Sequence, residues 1–242
     1  MKTAKNYFFL MIILVVIFSC ESNPTTENYS AQRNLLSPKI DGVIDSIWLS
    51  AFSAPILKTK GNHAIKDSVD LSASFKVLWD ETNIYLLVDV KDNFKFNTNN
   101  LKYKSVDMPN PWECDAIELF VDSENTKLDF FDSTKKHFKY EFVYSTDIVM
   151  SNDNSRTDGI LFAFSDTEHG YLCEICIPFK TLDIKPYINQ TLGFEITVND
   201  NDNDPEEGRF ILRRKVLSWA EEGVVANAWR NTSVYGNLQL VK

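Results

Sequence analysis

Asn110-Pro111-Trp112-Glu113-Cys114-Asp115-Ala116-Ile117-Glu118-Leu119-Phe120-Val121-Asp122 sets a proline-stiffened loop directly before an alternating run. Pro111 fixes its own φ near about −65° and biases Asn110 towards extended backbone, so the loop is pre-set. From Asp115 the side chains alternate. Asp115, Ile117, Leu119 and Val121 share one face, and Ala116, Glu118, Phe120 and Asp122 the other. This is the pattern of a strand with one apolar face turned to a core. Taken alone, Trp112 reads as a core aromatic covering the end of that strand.

The same period recurs on both sides. Ala73, Phe75, Val77 and Trp79 alternate with polar residues until Asp80-Glu81-Thr82-Asn83 turns the chain into Ile84 to Asp92. A polar, Asn-rich connection from Asn93 to Asn110 is longer than most loops and is a candidate functional one. Further strand-like runs are His137 to Tyr144, Phe162 to Phe164, Gly170 to Pro178, Thr191 to Asp200, Arg209 to Trp219 and Val234 to Lys242. With no long helical period, the expectation is an all-β, antiparallel, jelly-roll-like sandwich of about ten strands. It forms one domain over residues 38–242. Asp41-Gly42 marks a turn near its start, with Ile40, Val43, Ile44 and Trp48 apolar enough to dock. Trp48, Trp79 and Trp219 read as core.

The 242 residues carry a net charge of −9, with 44% hydrophobic and 13% aromatic residues. That supports one sizeable core and argues against a nucleic-acid partner, which needs a basic patch. Lys2 and Lys5 precede an apolar run from Tyr7 to Phe18, which is short for a membrane span and ends in Ser19-Cys20. A small residue directly before a cysteine resembles a bacterial lipobox. Residues 1–19 are therefore expected to be a signal peptide cut before Cys20, whose lipid would hold the chain at the cell envelope, on an outer membrane. Cleavage removes Lys2 and Lys5 and takes the charge from −9 to −11. Residues 20–37, polar and without apolar period, read as the lipidated Cys and a flexible tether. Cys114, Cys173 and Cys176 remain. Cys173 and Cys176 would lie on opposite faces of one strand, against a redox or zinc pair, so small buried hydrophobes are expected, with a Cys114 pairing open.

Function is sought where a strand's polar face is more than solvent-facing. Opposite the apolar residues of three strands lie Glu118, then Lys139 and Glu141, then Thr197 and Asn199. Brought into one sheet, they would form a floor of donors and acceptors. Trp229 sits in a polar loop, Asn227 to Ser233, before the last strand, as Trp112 sits before its own. Two loop tryptophans over such a floor suit the flat, hydroxyl-bearing faces of sugar rings.

In several ordered blocks the chain resembles the family 9 carbohydrate-binding modules of plant-cell-wall-degrading enzymes, from about Ile40 to Lys242. The blocks are Ile40 to Trp48, Val77 to Glu81, Val88 to Asp92, Asn110 to Asp122, Gly193 to Asp200, and Trp229-Arg230 with Tyr235 to Leu238. The resemblance implies an antiparallel sandwich that binds poly- or oligosaccharide ends between two tryptophans, Trp112 and Trp229. Glu118 would bond sugar hydroxyls, and structural calcium would support the loops. Lys139 stands where glucan- or xylan-binding members have an arginine, and Glu141 and Thr197 replace amides, so the resemblance implies the aromatic platform but leaves the ligand's identity open. Asp92 and Asp115 are the calcium candidates, because hard cations want clustered oxygens. The run Asp200 to Asp204 lacks the glycine and distal glutamate of an EF-hand and reads as a solvated loop.

The reading is a binding module, not an enzyme, acting beside glycan-degrading partners. The rival is a glycoside hydrolase using Glu118 and Glu141, since such enzymes pair two carboxylates. A lipoprotein with a decayed sugar site is a third reading. A haem protein is a fourth, with His63, His137, His169, Met108 and Met150 as the available ligands.

Overall fold

The computed structural model describes residues 26–60, 65–96, 110–147, 149–151, 156–202, 215–221 and 227–242. The expected signal peptide, Cys20, the loop at 97–109, His63, Met108 and the segment 203–214 lie outside these. Thirteen strands form among the described residues: β1 (Asn28–Arg33), β2 (Ala54–Ile56), β3 (Lys58–Lys60), β4 (Leu71–Trp79), β5 (Asn83–Asp92), β6 (Ala116–Asp122), β7 (His137–Val143), β8 (Val149–Ser151), β9 (Leu161–Thr167), β10 (Gly170–Pro178), β11 (Thr191–Asp200), β12 (Lys215–Ser218) and β13 (Gly236–Val241). The fold is a β-sandwich made from one curled sheet.

Strand order along that sheet is β8-β7-β6-β11-β13-β1-β4-β5-β10-β9. Neighbours are antiparallel except around β1, which lies parallel to both β13 and β4. The two halves bury their inner faces on each other. Phe75 of β4 meets Phe194 of β11 at 5.8 Å between ring centroids, and Phe142 of β7 meets Phe162 of β9 at 5.2 Å. Ile117, Leu119 and Val121 join this core, as do Phe138, Tyr140 and Phe142 and then Phe194, Ile196 and Val198. The alternation read from sequence is the one observed. Cys173 belongs to the main core and Cys176 to a second cluster on the outer face, and these two and Cys114 are free and buried.

Two expectations need correction. Within the segment expected as tether, residues 28–33 are a strand, with Tyr29 and Ala31 in the core. Tyr29 Oη also donates to Phe52 O and accepts from Val77 N–H, so β1 is structural. Second, Val43 and Ile44 are exposed, and it is Ile40, Ile47 and Trp48 of their block that dock. The block is held by a buried carboxylate. Glu174 accepts from the backbone N–H of Asp41 and Gly42 and from the Trp48 indole N–H at 2.9 Å. Gly42 turns there with φ of 79°, in the left-handed region.

Candidate functional site

The register of β7, β6 and β11 builds the floor. Glu118 lies opposite both Glu141 and Thr197, and Phe120 lies opposite Lys139 and Glu195. Side chains directly across an antiparallel pair are near neighbours, so these polar groups form rows on the face away from the main core. The Lys139 ammonium bonds Glu118 Oε1 at 2.9 Å and Glu141 Oε1 at 2.7 Å. Thr197 and Asn199 donate to Glu118 Oε2 at 3.2 and 3.0 Å. Glu118 is thus fixed by three donors, with few rotamers left to lose on binding.

Over this floor opens a cleft of about 830 Å³, lined by Trp112, Phe131, Asp132, Met150, Glu221 and Trp229, among others. Trp112 is 40% and Trp229 54% exposed, large values for the biggest apolar side chain. Both tryptophans therefore line one open cleft. The expected site residues Trp112, Trp229, Glu118, Lys139, Glu141 and Thr197 all meet there. Lys139 Nζ stands 5.3 Å from the Trp112 ring centre and 5.7 Å from that of Phe120.

Both tryptophan loops are braced from behind. Trp112 stands in a 3-10 turn, Pro111–Glu113, with Pro111 buried and Cys114 N–H closing onto Pro111 O. Asn201 Nδ2 donates to Glu113 O at 2.6 Å, and Asp115 accepts from the N–H of Asn201 and of Phe96. Ahead of Trp229, the Glu221 carboxylate accepts from the N–H of Asn227 and Ala228, and Tyr235 Oη donates to Ala228 O. Glu221 is itself held by Lys60, both about 1% exposed, and Glu195 accepts from the N–H of Trp219, Ala220 and Glu221. Burial pushes the Glu195 carboxyl up to about 7, against the pull of those donors. Sequence reasoning missed Glu221, Glu195 and Lys60. Each looks like an ordinary surface charge until the fold closes over it.

Charge balance on the floor is uneven. Burial, the first cause, opposes the ammonium of Lys139, but Glu118 and Glu141 outweigh it and raise its pKa. Glu141 is also raised, by burial first and then, against the pull of Lys139, by the charge of Glu118. As an acid–base pair for hydrolysis the arrangement is poor, because one ammonium bonds both carboxylates across the gap where substrate and water would sit. His137 is fully buried, with Nδ1 accepting from Asp132 N–H and Nε2 3.1 Å from Thr126 Oγ1. Both its ring nitrogens are engaged.

A second group of carboxylates lies beside the Trp112 turn. Ligand oxygens of Asp92, Asp200 and Asp202 fall within 4.8 Å of one another. The residues expected as a solvated loop thus include buried Asp200 and half-buried Asp202. Asp115, the other expected ligand, adjoins Asp92 but spends its two oxygens on the Phe96 and Asn201 amides. Lys215 reaches Asp70, Asp200 and Asp202. One ammonium does not compensate the group. Burial, then repulsion from Asp202, raises Asp92 to about 6, and burial, then repulsion from Asp92 and Asp202, raises Asp200 to about 7. Asp200 Oδ1 and Asp202 Oδ1 are buried without a hydrogen-bond partner among the described residues. Orphaned carboxylate oxygens in a cluster are the donor set a hard dication takes, so these residues fit calcium.

Aromatic walls over a polar sheet floor define a ligand-binding sandwich, and comparison with known proteins places it. Residues 40–242 match the family described as carbohydrate family 9 binding domain-like, and the chain belongs to that family. It is 33% identical over 211 residues to endo-1,4-beta-xylanase A of Thermotoga neapolitana, and 32% over 206 residues to the enzyme of the same name from Thermotoga maritima. Each match takes in 85% of this chain but 17% of the relative, so the chain spans about a sixth of those enzymes. A carbohydrate-binding module of family 9 from Caldicellulosiruptor kristjanssonii, solved with cellotriose, superposes with a TM-score of 0.69 at 22% identity. The superposition covers 89% of this chain and 94% of that one, and it supports the fold.

Proposed function

We propose that this chain is a non-catalytic carbohydrate-binding protein of the cell envelope, holding an oligosaccharide or the end of a polysaccharide between Trp112 and Trp229. The supporting observation is the single cleft that both half-exposed tryptophans line above the Glu118, Lys139, Glu141 and Thr197 floor. Sugar rings present C–H faces to the indoles and hydroxyls to the floor. One solved family member holds cellotriose, and the two Thermotoga relatives are xylanases in which the matching segment is a minor part. On this reading hydrolysis belongs to partner enzymes, and a lipid on Cys20 keeps the domain at the outer membrane.

Saturable binding of the full-length chain to a glycan array tests the reading, with Trp112→Ala and Trp229→Ala as variants. Each loses a stacking surface worth roughly 1–3 kcal/mol, about a 5- to 150-fold weakening. Unchanged melting in both is expected, since neither ring is buried in the core. Undiminished binding in both variants would sink the proposal.

Calcium is part of it. Asp92, Asp200 and Asp202 would hold the ion, with Asp115 and Asn201 linking that cluster to the Trp112 turn. Calcium at about 100 times its dissociation constant should stabilise the chain by about 2.7 kcal/mol. Chelator should lower the melting temperature and weaken glycan binding together. A melting curve indifferent to calcium and chelator would remove the ion from the account.

A further inference from the structure

The floor of the cleft is one positive charge short. Glu118 and Glu141 are both less than a tenth exposed, and one ammonium, Lys139, serves the two. Its hydrogen bonds already run to those carboxylates, so its charge is spent within the floor and is not offered to a ligand. Around the rim, Glu221 is paired with Lys60 and Asp132 has the charge of Lys135 beside it, while the Arg230 guanidinium stacks 5.3 Å from the Trp229 ring centre and bonds Asn227. The uncompensated charge therefore sits on the floor, beneath two indoles whose faces themselves attract cations.

We infer that this cleft prefers a sugar carrying an ammonium group, a 2-amino-2-deoxyhexose in its unacetylated form, over the same sugar with a hydroxyl, and that it rejects the matching uronate. The inference rests on the proposed sugar-binding role and adds the ligand's charge class. A protonated amine above Glu118 and Glu141 supplies the second cation and keeps three N–H donors for carboxylate oxygens. A ligand carboxylate above the floor would instead face two like charges whose shared cation, Lys139, is already bonded to both. An N-acetyl group cancels the effect, because it removes the charge.

The test uses the full-length chain and four β-1,4-linked trimers that differ in one substituent: cellotriose, the glucosamine trimer, its N-acetylated form and the glucuronate trimer. Calorimetric titration at pH 6 and low salt should show the glucosamine trimer binding about five- to tenfold more tightly than cellotriose. The acetylated trimer should show no such gain, and the glucuronate trimer should bind at least tenfold more weakly. Added salt should shrink the amine preference. Glu141→Gln removes one floor charge, so the ratio of glucosamine trimer to cellotriose affinity should fall towards one. Cellotriose binding with no amine preference, or an equal or tighter uronate, overturns this inference and leaves the sugar-binding role standing. No binding of any of the four brings down both.

Discussion

Lys139 is the residue on which the floor depends. Its side chain is 17% exposed and separates two carboxylates that are each about 8% exposed. Lys139→Met keeps the stem but leaves Glu118 and Glu141 facing each other without a cation. Breaking a buried ion pair from one side costs about 3–5 kcal/mol, and partial exposure and the Thr197 and Asn199 donors reduce that here to about 2–4 kcal/mol. The loss should depend on pH in a definite direction. Glu141 already has a raised pKa with Lys139 present, and removing the ammonium raises it further. A carboxyl raised in the folded state favours folding when protonated and opposes it as pH rises through the folded value. Urea titrations of Lys139→Met should therefore show most of the lost stability recovered between neutral pH and the ordinary glutamate range. A pH-independent deficit would mean that the lysine stem, not its charge, was what mattered. The residues of this floor were legible because alternation fixes which side chains share a face. That Lys139 is consumed by its neighbours was not, since only strand register shows which carboxylates flank it.

At the scale of elements, the two cleft walls are loops, and each is made rigid by groups that never touch the cleft's centre. The Trp229 loop hangs from Glu221, which accepts two amide protons just ahead of the indole and is balanced by Lys60 on β3. Glu221→Ala leaves two amides without their acceptor and a buried ammonium without its counter-charge, a loss of about 3–5 kcal/mol in stability. Removing the ammonium as well, in Lys60→Met with Glu221→Gln, should recover much of that stability. The glutamine offers one carbonyl where the carboxylate offered two oxygens, so glycan affinity should stay below that of the parent. Full recovery of affinity along with stability would show that Glu221 supports the sheet and not the Trp229 wall. The long strands β4, β5, β6, β10 and β11 could be read from alternation, because each turns an apolar face to one core. The three-residue β2, β3 and β8 could not, being too short to display a period. The carboxylate cluster was half legible. Asp92 was read as a ligand, whereas Asp200 and Asp202 looked like a solvated run, and their burial follows from β11 ending beside β12 and Lys215.

At the scale of the whole molecule, β1 is the strand that makes two half-sheets into one. It runs parallel between β13 and β4, and β13 leads to β11 and the cleft while β4 leads to the opposite half. Its sequence, Asn28 to Arg33, gave little notice of this, because only Tyr29 and Ala31 are apolar, too few to display a strand period. Parallel pairing by a short N-terminal segment also leaves no hairpin turn in the sequence. The family match begins at residue 40, beyond β1, so similarity alone would cut the domain too short. A chain starting at Pro38 loses the buried Tyr29, the Tyr29 hydroxyl's bonds to Phe52 and Val77, and the Ala31 carbonyl that accepts the Trp79 indole N–H. It also exposes the edges of β13 and β4, unpaired strands that invite aggregation. The combined loss, on the order of 5 kcal/mol or more, rivals the whole stability of an ordinary domain. A chain starting at Thr26 should melt cooperatively at the temperature of the full-length protein, whereas one starting at Pro38 should be aggregated or melt far lower. Equal melting temperatures for the two would show that the curled sheet closes without β1, and that residues 28–33 are the tether their composition suggests.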